Sequence, residues 1–482
     1  MMASARRKWI GLALLCAVQF MVVLDIAIVN VALPSIQTDL GFSQENLQWV
    51  ISAYALFFGG FLLLGGRAAD LLGRRRLFLA GIVIFTGASL LSGLAWNEET
   101  LIGARALQGL GAAIISPAAL AILMTTFAEG KERNAALGAW GGVGAFGAVA
   151  GVLLGGILTD ALSWEWIFYV NVPVGLAALA LTPILIAESK DTTAQSFDIP
   201  GAVLVTSGLV ALVYAITQAN DYGWSSVETI GLFAAAAALI AGFLAWESRA
   251  KDPLMPFSIF RLRTLVGANI AGLILGTAMF GMFLMLTLYM QQVLGYSPMR
   301  TGVAYLAVAG TAIFWSALAA QLVTRIGVKP VLVVGMSALT AGLVYFTQVS
   351  VGGSYLSDLL PGFLLIGVGL GFSFVPISIA ALAGVQNEEA GLASGLINTS
   401  QQIGGALGIA ALSAIATSTT SDEVANGTAL NVALTDGFQA AFVVGAAVAL
   451  VGVLVALFVV SRRDLVQESA EGELQPAFDQ AA

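Results

Sequence analysis

Apolar residues fall along the chain in long runs, separated by short segments that hold most of the charge. A run of about twenty apolar residues is the length an α-helix needs to cross the hydrocarbon layer of a bilayer. The pattern predicts fourteen such spans, centred on residues 10–33, 47–65, 77–96, 101–127, 135–159, 166–187, 199–218, 229–247, 266–290, 302–323, 330–349, 357–381, 391–416 and 438–461. Each is expected to be helical, because a lone strand in lipid leaves its backbone N–H and C=O groups unpaired. The expected fold is an all-α polytopic membrane protein.

Basic residues set the expected orientation. Placing the N-terminus inside puts 18 of the 20 Lys and Arg residues on the inner side. They cluster at the N-terminus, in the 66–76, 129–133, 248–263 and 324–330 loops, at Lys190 and at Arg462 and Arg463. Only Arg300 falls in an outer loop, and Arg105 lies within a span. Inner loops of membrane proteins carry such an excess, so both termini are expected in the cytoplasm and the protein in the plasma (inner) membrane. The first run follows Arg6, Arg7 and Lys8, as a signal peptide would, but it is too long for a signal core. It reads as an uncleaved first helix.

Composition sharpens this picture. Hydrophobic residues make up 59% of the chain and charged residues 10%, far from the balance of a soluble domain. The 55 glycines suit close helix packing where lipid supplies no hydrophobic drive. There is no His, and Cys16 is the sole Cys, so His catalysis, His metal ligation and an internal disulfide are excluded. A proton, if one is handled, must be handled by a carboxylate. No G-x-x-x-x-G-K-[ST] phosphate loop is present. No cofactor, metal, nucleotide or nucleic acid is expected; the expected partners are protons, a small organic molecule and the lipid bilayer.

The sequence repeats itself. Gly66-Arg-Ala-Ala-Asp70-Leu-Leu-Gly73-Arg74-Arg75 follows the second span, and Ala320-Gln-Leu-Val-Thr324-Arg325-Ile-Gly327-Val-Lys329 follows the tenth, 254 residues later. Two six-helix bundles separated by two inserted helices would give this offset, and repeats of this kind mark transporters. The expected division is an N-terminal bundle over 1–189, two linker helices over 190–262, a C-terminal bundle over 263–463 and a cytoplasmic tail over 464–482.

Several strings resemble one family. Leu24-Asp25-Ile-Ala-Ile-Val-Asn30-Val-Ala-Leu-Pro34, Gly66 to Arg76, Gly103-Ala-Arg105-Ala-Leu-Gln108-Gly109-Leu-Gly111 and Trp164-Glu-Trp166-Ile-Phe-Tyr-Val-Asn171-Val-Pro173 occur in order on successive helices. In this the chain resembles the fourteen-helix drug:proton antiporter branch of the major facilitator superfamily, over roughly residues 9–463. The resemblance implies multidrug efflux by alternating access, driven by a proton gradient, with Asp25 as a proton site. Two positions depart from the family pattern. Val152 stands where the fifth-helix motif usually has proline, a motif associated with antiport, and Glu165 stands where arginine is common.

The residues themselves support specific roles. Asp25 is the one acid placed in the interior of a span. A carboxylate there costs about 2.5–3.5 kcal/mol on insertion, so it is a functional candidate by default. Arg105 is the corresponding cation, with Gln108 one turn along the same face. Arg105 either couples to Asp25 or snorkels from a helix end to water. Asp25 and Arg105 are the expected proton-coupling pair. Gly66, Asp70, Gly73, Arg74 and Arg75 form an expected conformational latch, with Asp70 suited to the positive N-terminus of a helix in the other bundle. Gly147, Gly151, Gly155 and Gly156 give the fifth span a small packing face. Asn30, Tyr54, Gln108, Met279, Phe283, Trp315, Asn398 and Gln402 are candidate cavity residues; packing between helices is the alternative for each. The expected function is proton-coupled export of drugs or other small amphiphiles, with no enzymatic activity. The alternative is a dedicated exporter of one host-made metabolite or antibiotic, ahead of an integral-membrane enzyme or a non-transporting scaffold.

Overall fold

The computed structural model describes residues 2–127, 131–189, 198–251, 253, 255, 257, 261–382 and 390–459. Its first six long helices are α1 (Met2–Leu40), α2 (Trp49–Leu72), α3 (Arg74–Gly93), α4 (Glu98–Thr126), α5 (Lys131–Ala161) and α6 (Asn171–Leu185). Then come α7 (Ile199–Tyr222) and α8 (Val227–Glu247). The last six are α9 (Arg263–Leu288), α10 (Leu306–Ile326), α11 (Val328–Phe346), α12 (Leu360–Leu382), α13 (Ala390–Ala425) and α14 (Leu430–Phe458). Short turns extend five of them: Gln44–Leu47 leads into α2, Trp166–Tyr169 into α6, Pro298–Ala304 into α10, and two wider π turns, Tyr289–Val293 and Tyr355–Leu359, continue α9 and lead into α12. Among the described residues thirteen stretches are long and apolar enough to span a membrane, and α5 adds a shorter one, Val149–Ala161.

Several helices overrun the predicted spans. α1 reaches Leu40 rather than residue 33, and α13 reaches Ala425 rather than residue 416. Apolar runs measure only the hydrocarbon layer, whereas a helix satisfies its own backbone and continues until a cap or a breaker ends it. Asn97 begins α4 by accepting a hydrogen bond from the Thr100 N–H, and Glu98 and Glu99 in the first turn suit the helix dipole. Asp198 and Ser226 cap α7 and α8 in the same way. α2 and α10 both end on a glycine with positive φ, Gly73 (110°) and Gly327 (86°). A side chain would be strained at either turn. These are matching positions of the sequence repeat.

Packing follows the repeat as well. α1 lies on α5, α2 and α3 on α4, and α3 on α6; likewise α9 lies on α13, α10 and α11 on α12, and α11 on α14. Glycines make these contacts close. A Cβ at Gly65 would stand 2.2 Å from the Ala113 carbonyl oxygen, and one at Gly404 2.0 Å from that of Leu273. α7 and α8 pack on each other, and α7 also packs on α2 and α13. Gln48 donates to the Thr217 hydroxyl at 2.7 Å across the α2–α7 contact.

The start of α1 and the end of α14 lie at the near face of the bundle; the opposite face is the far face. The two six-helix sets meet through α2 with α13 and through α5 with the turn preceding α10. Near the far face, a Cβ at Gly156 would stand 2.7 Å from Met299 Cα, and one at Gly302 would stand 2.6 Å from the Val152 carbonyl oxygen. The Met299 N–H donates to Asp160 Oδ2 at 3.0 Å. Gln291 donates to the Val31 carbonyl at 2.8 Å, and Gln292 to Gln37 Oε1 at 3.1 Å.

Candidate functional site

Four helices converge on one carboxylate. Asp25, at 0% exposure, sits mid-way along α1. α4 supplies Arg105 and Gln108, one turn apart, and α2 comes close enough to help because α4 has Gly109 at that level. A Cβ there would stand 2.3 Å from the Tyr54 carbonyl oxygen. This approach brings the Val50 carbonyl to Arg105 Nε at 2.9 Å. Arg105 Nη1 donates to Asp25 Oδ2 at 2.6 Å and to Gln108 Oε1 at 2.6 Å. The guanidinium lies 4.5 Å from the Tyr54 ring centroid and 5.6 Å from that of Phe168. At 1% exposure, Arg105 does not snorkel; α4 begins seven residues earlier and the second turn is already enclosed.

The other carboxylate oxygen faces two amides. Gln108 Nε2 donates to Asp25 Oδ1 at 2.7 Å, and Asn171 Nδ2 donates to the same atom at 2.9 Å. Both amides also reach the Ser89 hydroxyl, at 3.2 and 3.0 Å. Ser89 in turn donates to the Phe168 carbonyl at 2.9 Å. Every neighbour of Asp25 in this cluster is therefore a donor, as an ionised carboxylate requires. Asn171 and Ser89 escaped the sequence reading. Asn171 stood in the Trp164–Pro173 string, a polar residue at the head of an apolar run; Ser89 carried no signal among the small residues of α3.

The expected latch lies at the near face. Gly66 packs on Pro117, and a Cβ at Gly73 would stand 2.8 Å from Glu188 Oε1. The Arg75 N–H donates to that oxygen at 3.0 Å, and the Arg75 and Arg76 side chains lie 3.8 and 3.7 Å from Glu188 Oε2. The Arg74 N–H donates to the Ser189 carbonyl at 3.0 Å. These contacts tie α3 to the end of α6, within the first set of helices and not across to the second. The side chain of Asp70 lies outside the described residues.

The α5 glycines divide between two neighbours. Gly147, Gly151 and Gly155 face α1, where added Cβ atoms would stand 3.3, 2.8 and 2.6 Å from the carbonyl oxygens of Phe20, Leu24 and Ile28. The seam thus runs beside Asp25. Gly156 faces the turn before α10 instead.

The remaining candidates are dispersed. Tyr54 is buried over Arg105, and its hydroxyl has no hydrogen-bond partner among the described residues. Asn30 donates to the Ile26 carbonyl at 3.0 Å. Gln402 is buried, and its Cβ would lie 2.9 Å from one at Gly59, on the α2–α13 contact. Asn398, one turn away, is exposed and donates to the Ser394 carbonyl. Phe283 packs against Tyr305 with tilted rings, centroids 5.0 Å apart, and Trp315 meets Phe372 edge to face at 5.2 Å. Met279 is partly buried against the same apolar cluster. The structure joins Tyr54 and Gln108 to the Asp25 cluster and leaves Met279, Phe283 and Trp315 in packing contacts.

Comparisons with known proteins agree with this architecture. The Major Facilitator Superfamily profile matches residues 15–409. The chain is 41% identical to a puromycin resistance protein of Streptomyces alboniger, over 98% of this chain and 95% of that one. It is 37% identical to a cephamycin export protein of Amycolatopsis lactamdurans, over 85% of each. It is 35% identical to a tetracenomycin C resistance and export protein of Streptomyces glaucescens, over 86% of this chain and 77% of that one. Among solved structures, a bacterial homologue of the lysosomal transporter Spinster shares the fold with a TM-score of 0.66 at 16% identity, over 96% of this chain and 98% of that one. The polytopic all-α architecture, the helix repeat and these matches lead to one assignment: the chain belongs to the Major Facilitator Superfamily.

Proposed function

We propose that the protein exports small organic molecules by alternating access, coupled to proton entry through Asp25. The observation that carries this reading is the buried Asp25–Arg105 pair, 2.6 Å apart in the middle of a bundle. A fixed cation facing a titratable acid gives two charge states. Ionised Asp25 holds Arg105; neutral Asp25 releases it to its other contacts. Each conformation that binds the proton differently is then favoured or disfavoured by it. No cofactor is needed, since the proton gradient supplies the drive.

The near face is the cytoplasmic face in this proposal, because Lys and Arg concentrate in the segments there, and the membrane is the plasma membrane. Contacts at the far face then close the protein toward the outside. The domain division at 1–189, 190–262 and 263–463 is the unit of motion, supported by the matching packing order of the two six-helix sets. Asp70 and the arginines beside it latch the opposite state, when the near face closes. Transport, not catalysis, is the activity.

The names of the relatives favour antibiotic-like amphiphiles as cargo. A dedicated self-resistance exporter is the second reading, favoured by the puromycin resistance protein at 41% identity; a broad efflux pump is the first, in line with a multidrug resistance protein of Mycobacterium tuberculosis at 37%. The test is efflux from vesicles holding purified protein under an imposed pH gradient, with a panel of cationic, neutral and zwitterionic compounds. Uphill movement that collapses with the gradient and in Asp25→Asn supports the proposal. Gradient-independent accumulation would overturn the coupling, and one accepted compound would favour the dedicated exporter.

A further inference from the structure

We infer that Asn171 is the group that answers to the charge of Asp25: its amide turns end for end when the carboxylate takes up a proton. The inference rests on Asp25 as the proton site proposed above and assigns a positioning role to a residue outside the expected set.

The argument starts from the unequal surroundings of two amides that share one oxygen. Gln108 and Asn171 both donate to Asp25 Oδ1, at 2.7 and 2.9 Å. Gln108 is pinned at its other end, because its Oε1 accepts from Arg105 at 2.6 Å. Reversing it would set an NH2 group against a guanidinium. Asn171 has no such tie. Its Oδ1 is buried and has no hydrogen-bond partner among the described residues. A buried acceptor left without a donor is unfavourable and uncommon, so its presence calls for a reason.

Protonation of Asp25 provides one. In the ionised state every group around the carboxylate donates to it: Arg105 to Oδ2, Gln108 and Asn171 to Oδ1. A proton on Oδ1 turns that atom into a donor, and it then needs an acceptor. Ser89 is committed, since it donates to the Phe168 carbonyl and receives both amides. The carbonyl oxygen of Asn171 is an uncommitted acceptor on an amide that already touches this atom. A half-turn of the side-chain amide exchanges its Nδ2 for its Oδ1 without moving the backbone. Asn171 can therefore satisfy either form of the acid.

No other charged side chain disturbs this balance among the described contacts. α4 presents Arg105, and α2 presents Tyr54 over the guanidinium. α3 presents Ser89, and α5 meets α1 at this level through Gly147 and Gly151. Asn171 is also the first residue of α6, whose far end contacts the near-face loop through Ile186 and Glu188.

Infrared difference spectroscopy of purified protein during a pH titration tests the role without requiring transport. The carboxylic acid band of Asp25 should rise as pH falls and be missing in Asp25→Asn. Asn171→Leu keeps the branched shape but removes both the donor and the acceptor. In the wild type the side-chain amide bands of Asn171 should shift together with the Asp25 band, because its carbonyl gains a hydrogen bond as the acid forms; these bands should be missing from the leucine variant. Asn171→Ser should lack the same amide bands and serves alone if the leucine variant does not fold. A purely structural Asn171 would contribute no amide change to the wild-type spectrum. A wild-type spectrum that matches either variant in the amide region overturns the inference. A band that persists in Asp25→Asn instead overturns the proton site itself, so the two failures are distinguishable.

Discussion

The guanidinium of Arg105 meets the carboxylate of Asp25 at 2.6 Å across 80 residues of sequence, and the same guanidinium holds the Val50 carbonyl and Gln108. One side chain thus joins α1, α2 and α4. Three directed contacts from one planar group are not reproduced by an ammonium at the end of a flexible stem.

Arg105→Lys is therefore expected to lose at least about tenfold in gradient-driven export, although the charge is kept. Arg105→Leu should lose all of it and lower stability as well, since removing one partner of a buried pair costs about 3–5 kcal/mol. Initial efflux rates in vesicles, normalised to protein content, with melting temperature measured in parallel, check both. Wild-type rates for the lysine variant would reduce Arg105 to a point charge.

The seam between α5 and α1 gives the second prediction. A Cβ at Gly155 or Gly151 would stand 2.6 or 2.8 Å from an α1 carbonyl oxygen, on the residues that flank Asp25. Gly155→Ala should destabilise the purified protein by about 1–3 kcal/mol, the usual cost of overpacking. Gly103, whose Cβ would meet nothing within 4 Å, is the control; Gly103→Ala should be neutral or slightly stabilising. Thermal unfolding in one detergent compares the two.

Much of this was legible in the sequence, for reasons that differ by residue. The fourteen spans could be read because lipid forces helices of a fixed minimum length. Asp25 and Arg105 could be read because an ionisable group in a span is conspicuous. Their contact with Asn171 and Ser89 could not, because a hydroxyl or amide in a helix is ordinary until its neighbours are known. Gly147 to Gly156 could be read as a packing face, but not that Gly156 turns to a different helix from the other three. The near-face loop shows the same limit. Only the fold shows that Arg75 and Arg76 lie against Glu188, from the same set of helices.

Orientation gives the third prediction. Reporter fusions at Ser225, in the turn between α7 and α8, should report the outside, and fusions after Arg463 should report the cytoplasm. The grounds are the 18 basic residues gathered on one side. Both sites on one side would require an even number of crossings between them, not the seven that α8 to α14 supply, and would refute the fourteen-helix topology.

The far-face contact gives the last prediction. Gln37, near the end of α1, and Gln292, in the turn that continues α9, are hydrogen-bonded at 3.1 Å across the two sets of helices. The Asp160–Met299 contact and the Gly156 and Gly302 approaches lie at the same face. Alternating access requires these contacts to part when that face opens. Cysteines placed at 37 and 292, in a Cys16→Ser background, should be bridged by a short, reducible bifunctional thiol reagent, because the tips of the parent side chains touch and the reagent replaces their length. The bridge should stop export, and reduction should restore it, since the block is mechanical and leaves the Asp25 cluster intact. Substrate or a pH gradient that drives the far face open should slow cross-linking. A cross-linked protein that still exported at the wild-type rate would show that this face does not open during the cycle, and the α5–α10 contact would then be a fixed hinge.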